Sequence, residues 1–416
     1  MNKKHLPQML FIAILVLLAF NWTACNQDAT TSIQTQEEVS DFPKLIQRSE
    51  KIQLGKEWDF VQNFYLEQRN ALKANPNDNN AKLNLAQLFI KEARVTGEHG
   101  HYYPAALKLA DEIVANETKN FDLKFRALTT KAAVELSQHD FAEAKLTGEK
   151  ALKLNSKNAQ VYGVLVDANV ELGNYEEAVK MSDKMINIKP DIRSYSRVSY
   201  LREIHGDVKG ALSAMEMAVK AGYPGYEETA WAMLTLGEMY AQYGELDKAE
   251  KVFQAILETR PDYPFAVAAL GDIYFQKNDL EKAEATIAQA MSIIPEVGFY
   301  IQQAEIFKKQ GRMEEYKKLE TEIFEMLEDD VVHGHNMNLE YADVYLNLLD
   351  NPDKAQEYTT KEYELRPNNI DVNRMMAKIF AKKNDLEKMT KYTNAASITN
   401  SNHPELIALQ ETLKKS

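Results

Sequence analysis

Between residues 79 and 400, apolar positions recur at i, i+3, i+4 and i+7 and do not alternate, so the chain is predicted to be a succession of amphipathic helices without a sheet. The helical pattern is itself periodic. Small residues stand at Ala144, Ala178, Ala211, Ala249, Ala283 and Ala355, with Tyr316 and Met389 completing the series, at gaps of 34, 33, 38, 34, 33, 39 and 34 residues. A period near 34 marks a helical solenoid, in which each helix-turn-helix buries its apolar face only by stacking on its neighbours. Such a chain is a binding surface more often than a reaction vessel.

The same grammar surrounds each anchor. Leu236-Gly237 is followed by Tyr240, Gly244, Ala249, Phe253, Ile256 and Pro261; Leu270-Gly271 is followed by Tyr274, Asn278, Ala283, Ile287, Ala290 and Pro295. Gly after Leu lets two helices approach closely, Gly or Asn before the second helix supplies a left-handed turn, and Pro stops the unit. This pattern resembles the tetratricopeptide repeat family. The resemblance implies an all-α, right-handed α-solenoid of about nine units over residues 79–400. Residues 45–76 read as an N-terminal capping region, with Trp58 to Ala74 as a lone second helix, and residues 403–416 as a C-terminal capping helix. The first unit carries an insertion, Val95 to Tyr103, expected between its helices.

The N-terminus has a different composition. Lys3 and Lys4 precede the twelve-residue apolar run Met9 to Phe20, and Asn21-Trp22-Thr23-Ala24-Cys25 follows. The run is shorter than the roughly 20 residues of a membrane-spanning helix. It resembles a bacterial lipoprotein signal peptide (residues 1–24), with Cys25 as the lipidated first residue of the mature chain and residues 25–44 as a polar tether. Trp22 departs from the usual Leu, which leaves cleavage by the ordinary signal peptidase as the alternative. Asn26 after the cysteine implies an outer-membrane lipoprotein facing either the periplasm or the exterior. Cys25 is the one cysteine, so no intramolecular disulfide is available.

Charge narrows the ligand class. The formal charge is −13, and removing Lys3 and Lys4 with the leader takes it to −15, a balance that repels nucleic-acid phosphates. No phosphate loop, nucleophile elbow, metal-protease helix or dinucleotide fingerprint is present, so the chain reads as a non-enzyme without a cofactor. The tripeptide His-Gly-His occurs twice, as His99 to His101 and as His333 to His335, each placed in a period-lengthening loop. Two His at that spacing are weak metal candidates, because a structural zinc site needs four ligands.

In the resembled family the first helix of each unit lines a concave groove. Mapped onto this sequence, that face carries Asp167, Arg193, Tyr200, Trp231, Glu238, Asp272, Phe275 and Glu305, a mixture of carboxylates and aromatics. Glu238, Asp272 and Glu305 occupy equivalent positions of three consecutive units and are expected to align as an acidic ladder. The reading is an envelope-anchored adaptor that binds a basic segment of another envelope protein. The alternatives are a glycan-binding lipoprotein of a carbohydrate-uptake system, with aromatics as sugar platforms, or a structural subunit of an outer-membrane assembly complex.

Overall fold

A computed structural model describes residues 42–117 and 119–415. Cys25, the leader and nearly all of the tether lie outside the described residues. Every regular element within them is helical. Nine helix pairs form the array: Asn79–Thr96 with His99–Asn116, Phe121–Ser137 with Phe141–Leu154, Ala159–Glu171 with Tyr175–Ile188, Ile192–Ile204 with Val208–Ala221, Glu227–Gln242 with Leu246–Thr259, Pro264–Gln276 with Leu280–Met291, Val297–Gln310 with Met313–Val332, Asn338–Asp343 (continued by the π-helix Val344–Leu348) with Pro352–Leu365, and Ile370–Lys382 with Leu386–Ala396. Lys56–Ala74 precedes them and Pro404–Lys415 follows. None of these helices is long and apolar enough to cross a membrane.

The periodic small residues sit where helices cross. Ala144, Ala178, Ala211, Ala249, Ala283 and Ala355 are completely buried. A Cβ added at Gly237 would lie 2.3 Å from the Phe253 ring, and one at Gly271 would lie 2.4 Å from Ile287, so glycine is what permits each close crossing. Tyr316, the substitute anchor, is buried as well and donates its hydroxyl to the Leu348 carbonyl at 3.2 Å. From Ala342 to Ala355 the chain has one residue more than from Gly271 to Ala283. The π-helix between Val344 and Leu348 takes up that residue without breaking the packing.

Two expectations need correction. Val95 to Tyr103 is not a loop: both helices of the first unit extend into it, leaving only Gly97 and Glu98 between them. The first His-Gly-His therefore opens a helix, while the second occupies the turn after Val332. Pro43, placed in the tether, also packs on the array. Tyr65 donates its hydroxyl to the Pro43 carbonyl at 2.8 Å, and the buried Arg48 grips Glu92 through two hydrogen bonds of 2.8 and 2.7 Å.

Each unit turns between its two helices through a residue with φ between 52° and 83°, namely Gly97, His139, Gly173, Gly206, Gly244, Asn278, Gly311, Asp350 and Asn384. This left-handed conformation suits Gly and Asn, and it caps the first helix. In the first half of the chain these turns meet linkers between units in the second half. Asn336 donates its backbone N–H to the Gln138 carbonyl at 3.1 Å, and Ile370 donates to the Tyr175 hydroxyl at 2.8 Å. Asn402 donates to the Gly206 carbonyl at 2.8 Å, and Arg366 pairs with Glu171. Toward the N-terminus, Glu57 pairs with Arg260 at 3.5 Å and Lys51 bonds Ser292 at 2.8 Å. The ribbon of units thus coils tightly enough for one edge to dock on the other, along a seam that joins residues about 200 positions apart.

Candidate functional site: the acidic concave face

First helices of successive units pack side by side, so residues at one register of the repeat fall into a row. Glu238, Asp272 and Glu305 each directly follow the small residue that marks the helix crossing, and Asp343, after Ala342, makes a fourth rung. Neighbouring rungs act on Glu238 and Glu305. Glu238 is open to solvent, yet burial by the surrounding wall, and then the Asp272 charge, push its pKa up to about 7. Burial likewise raises Asp272; burial and then the charges of Asp343 and Asp272 raise Glu305. Asp343 is raised by burial, against the pull of Lys378. Lys378 occupies the next rung and pairs at 2.5 Å with Glu405 on the C-terminal helix, so the row of carboxylates ends there.

The remaining positions of the expected groove divide. Trp231 stands two helical turns before Glu238 on the same helix face and is 47% exposed. Tyr200, at the ladder register, is also partly open. Asp167 is held by Arg197 through contacts of 2.8 and 2.5 Å, and Arg193 pairs with Glu228 at 2.5 Å, so both are engaged within the chain. Phe275 departs from the expectation of an open aromatic. It packs against the core, and Lys309 covers its ring at 4.4 Å. Aromatic residues at this register are useful to neighbouring units as packing, which is why the sequence alone overstates them.

Asp343 was legible but unused: Ala342-Asp343 repeats Gly271-Asp272 and Ala304-Glu305, with the lengthened 39-residue gap obscuring the equivalence.

The two His-Gly-His tripeptides, 234 residues apart, meet across the seam. The His99 and His335 rings stack with centroids 5.5 Å apart, and a Cβ at Gly100 would lie 2.5 Å from His333. His101 points elsewhere, bonding the Lys44 carbonyl at 2.8 Å. Stacked rings do not converge their nitrogens on one point, and no group of three or more ligand-type side chains among the described residues could hold a metal. The cluster closes the seam. Burial, then the neighbouring His335, lower His99 to about 4, while burial and then Asp330 raise Glu296 to about 7.

Family models agree with this architecture. One model described as tetratricopeptide repeat matches residues 135–202 and 240–298, and a second such model matches residues 205–264, so tetratricopeptide repeats are present in this chain. A curated relative, the cellulose synthase operon protein C of Pseudomonas fluorescens, is 23% identical over 144 residues, covering 32% of this chain and only 11% of that protein. Among solved structures, the Cut9-Hcn1 hetero-tetramer of APC/C is similar over 88% of this chain and 61% of its own, at 14% identity and TM-score 0.47. Pseudomonas aeruginosa pilF is similar over 58% of this chain and all of its own, at 13% identity and TM-score 0.41. A tetratricopeptide repeat protein of Parabacteroides merdae is similar over 59% and 98%, at 18% identity and TM-score 0.41.

Proposed function

We propose that this chain is a non-catalytic adaptor of the bacterial cell envelope, an outer-membrane lipoprotein held through Cys25, whose concave face captures a basic segment of another envelope protein. The observation that carries the reading is the row Glu238, Asp272, Glu305 and Asp343, in which desolvation raises the proton affinity of every rung and repulsion from neighbouring rungs adds to it at Glu238 and Glu305. Carboxylates held together at such a cost are relieved by a cation, and a Lys- or Arg-bearing segment laid along the row would supply one per rung. Trp231 beside the row offers an exposed anchor of the kind that dominates binding energy at protein interfaces. A photo-crosslinking residue at Trp231 tests this: the recovered peptide is expected to carry clustered Lys or Arg, and an acidic or uncharged peptide would contradict the reading. The anchor has its own test, in which wild-type protein incorporates labelled fatty acid and Cys25→Ser does not.

The second reading, a glycan ligand, is favoured by the exposed Trp231 alone. Retention on an insoluble polysaccharide, lost in Trp231→Ala and indifferent to salt, would select it.

A further inference from the structure

The seam uses only half of each edge of the ribbon. Glu57, beside Gly55, and the turns at Gly97, His139, Gly173 and Gly206 lie along the linkers near Arg260, Glu296, Asn336, Asn368 and Asn400, so each meets the sixth linker further along the chain. Five later turns, at Gly244, Asn278, Gly311, Asp350 and Asn384, have the same left-handed backbone. At Gly244 and Gly311 an added Cβ would meet nothing within 4 Å. On the opposite edge, the first five linkers, at residues 75–78, 117–120, 155–158, 189–191 and 222–226, make their hydrogen bonds within themselves or with the adjoining helices and the neighbouring linker, as Asn77 does with Asn75, Ser156 with Tyr162, Glu117 with Asn79 and Gly225 with Arg260. Among the described residues, five turns on one edge and five linkers on the other are thus left out of the seam, the same complement that the seam itself consumes.

We infer that a second copy of this chain docks on these free edges, head to tail, through the same turn-on-linker contacts that close the seam within one copy. The register follows from the seam itself: each free turn of one copy meets the corresponding linker of the next. At that register the side chains match. Such docking would carry Glu281, next to the Asn278 turn, toward the linker that holds Lys119, and Glu314, next to the Gly311 turn, toward the linker that holds Lys157, all four being exposed. At the last junction, Leu386, 47% exposed, faces Tyr223 and Tyr226, which are 76% and 68% exposed within a single copy. Because the two edges differ, the contact is heterologous, and each added copy leaves a new pair of edges open. The seam within one copy gains from being intramolecular, so the contact between copies is expected to be concentration-dependent.

Sedimentation equilibrium of the full chain, in density-matched detergent and low salt, tests the inference. The average mass is expected to climb above the monomer over about a hundredfold range of concentration. Lys119→Glu with Lys157→Glu should weaken the association about tenfold, and adding Glu281→Lys with Glu314→Lys should restore it. All four positions are exposed, so the helical signal and melting temperature of every variant should match wild type. A monomer at all concentrations overturns the inference. So does association indifferent to the paired Lys→Glu changes, or one that the compensating changes leave weak.

Discussion

Gly173 approaches Asn368 so closely that one added methyl group would lie 2.6 Å from the Asn368 backbone carbonyl, although 195 residues separate the two in sequence. Gly244 performs the same turn with open space around it. The pair therefore separates the strain of a left-handed backbone from the seam. Gly244→Ala should cost about 1 kcal/mol from φ alone. Gly173→Ala should cost that and a further 1 to 3 kcal/mol or so from the collision. Equal losses in chemical denaturation would mean that the seam contributes nothing.

Within one unit the comparable test is at the helix crossing. Gly237→Ala drives a methyl into the Phe253 ring and should destabilise by about 1 to 3 kcal/mol, with loss of cooperativity at the neighbouring junctions. Lys251→Leu, at an exposed position of the facing helix, should shift the melting temperature by almost nothing.

The histidine cluster gives the seam a pH dependence. His99 is held neutral, its pKa lowered to about 4 by burial and then by His335. Its contribution to stability is complete above the ordinary value of 6.5 and is lost as the pH falls from there toward 4. The melting temperature should therefore fall over that window, and the fall should shrink in His99→Phe, whose ring keeps the stack without a proton to gain. An unchanged slope would assign the acid sensitivity elsewhere.

Much of this was legible in the chain. The anchors Ala249 and Ala283 and the glycines at 237 and 271 announce close crossings because few other residues fit them, and the nine units follow from their spacing. What the sequence left hidden was long-range. Nothing local to Gly173, Gly206 or Glu171 indicates a partner some 195 residues away, because edge-to-edge docking depends on how much rotation each unit adds to the next. The His-Gly-His tripeptides were visible as a repeat, yet only the coiling of the ribbon brings them together. Phe275 misled for the opposite reason: an aromatic facing the concave side is also within reach of the next unit's Lys309.

The ladder's charge depends on pH in the opposite sense from the histidines. Glu238 is raised to about 7, so the folded state favours its protonated form; this contribution is complete at acid pH and is lost as the pH climbs toward 7. Affinity for a Lys-rich peptide should rise across the same interval, as the row acquires its full negative charge. Calorimetric titrations near pH 5.5 and pH 8 at fixed ionic strength check the direction, and tighter binding at the lower pH would remove Glu238 from the site.

The most direct measurement is the affinity of a fluorescent Lys-rich peptide for the full chain, titrated against salt in wild type and in a variant carrying Glu238→Lys, Asp272→Lys and Glu305→Lys. Wild-type binding should weaken steeply as salt screens charges beyond about 8 to 10 Å. The triple variant should lose it while keeping the helical signal and the melting temperature. Undiminished binding by the folded triple variant would contradict the account and reduce the ladder to a solvated face.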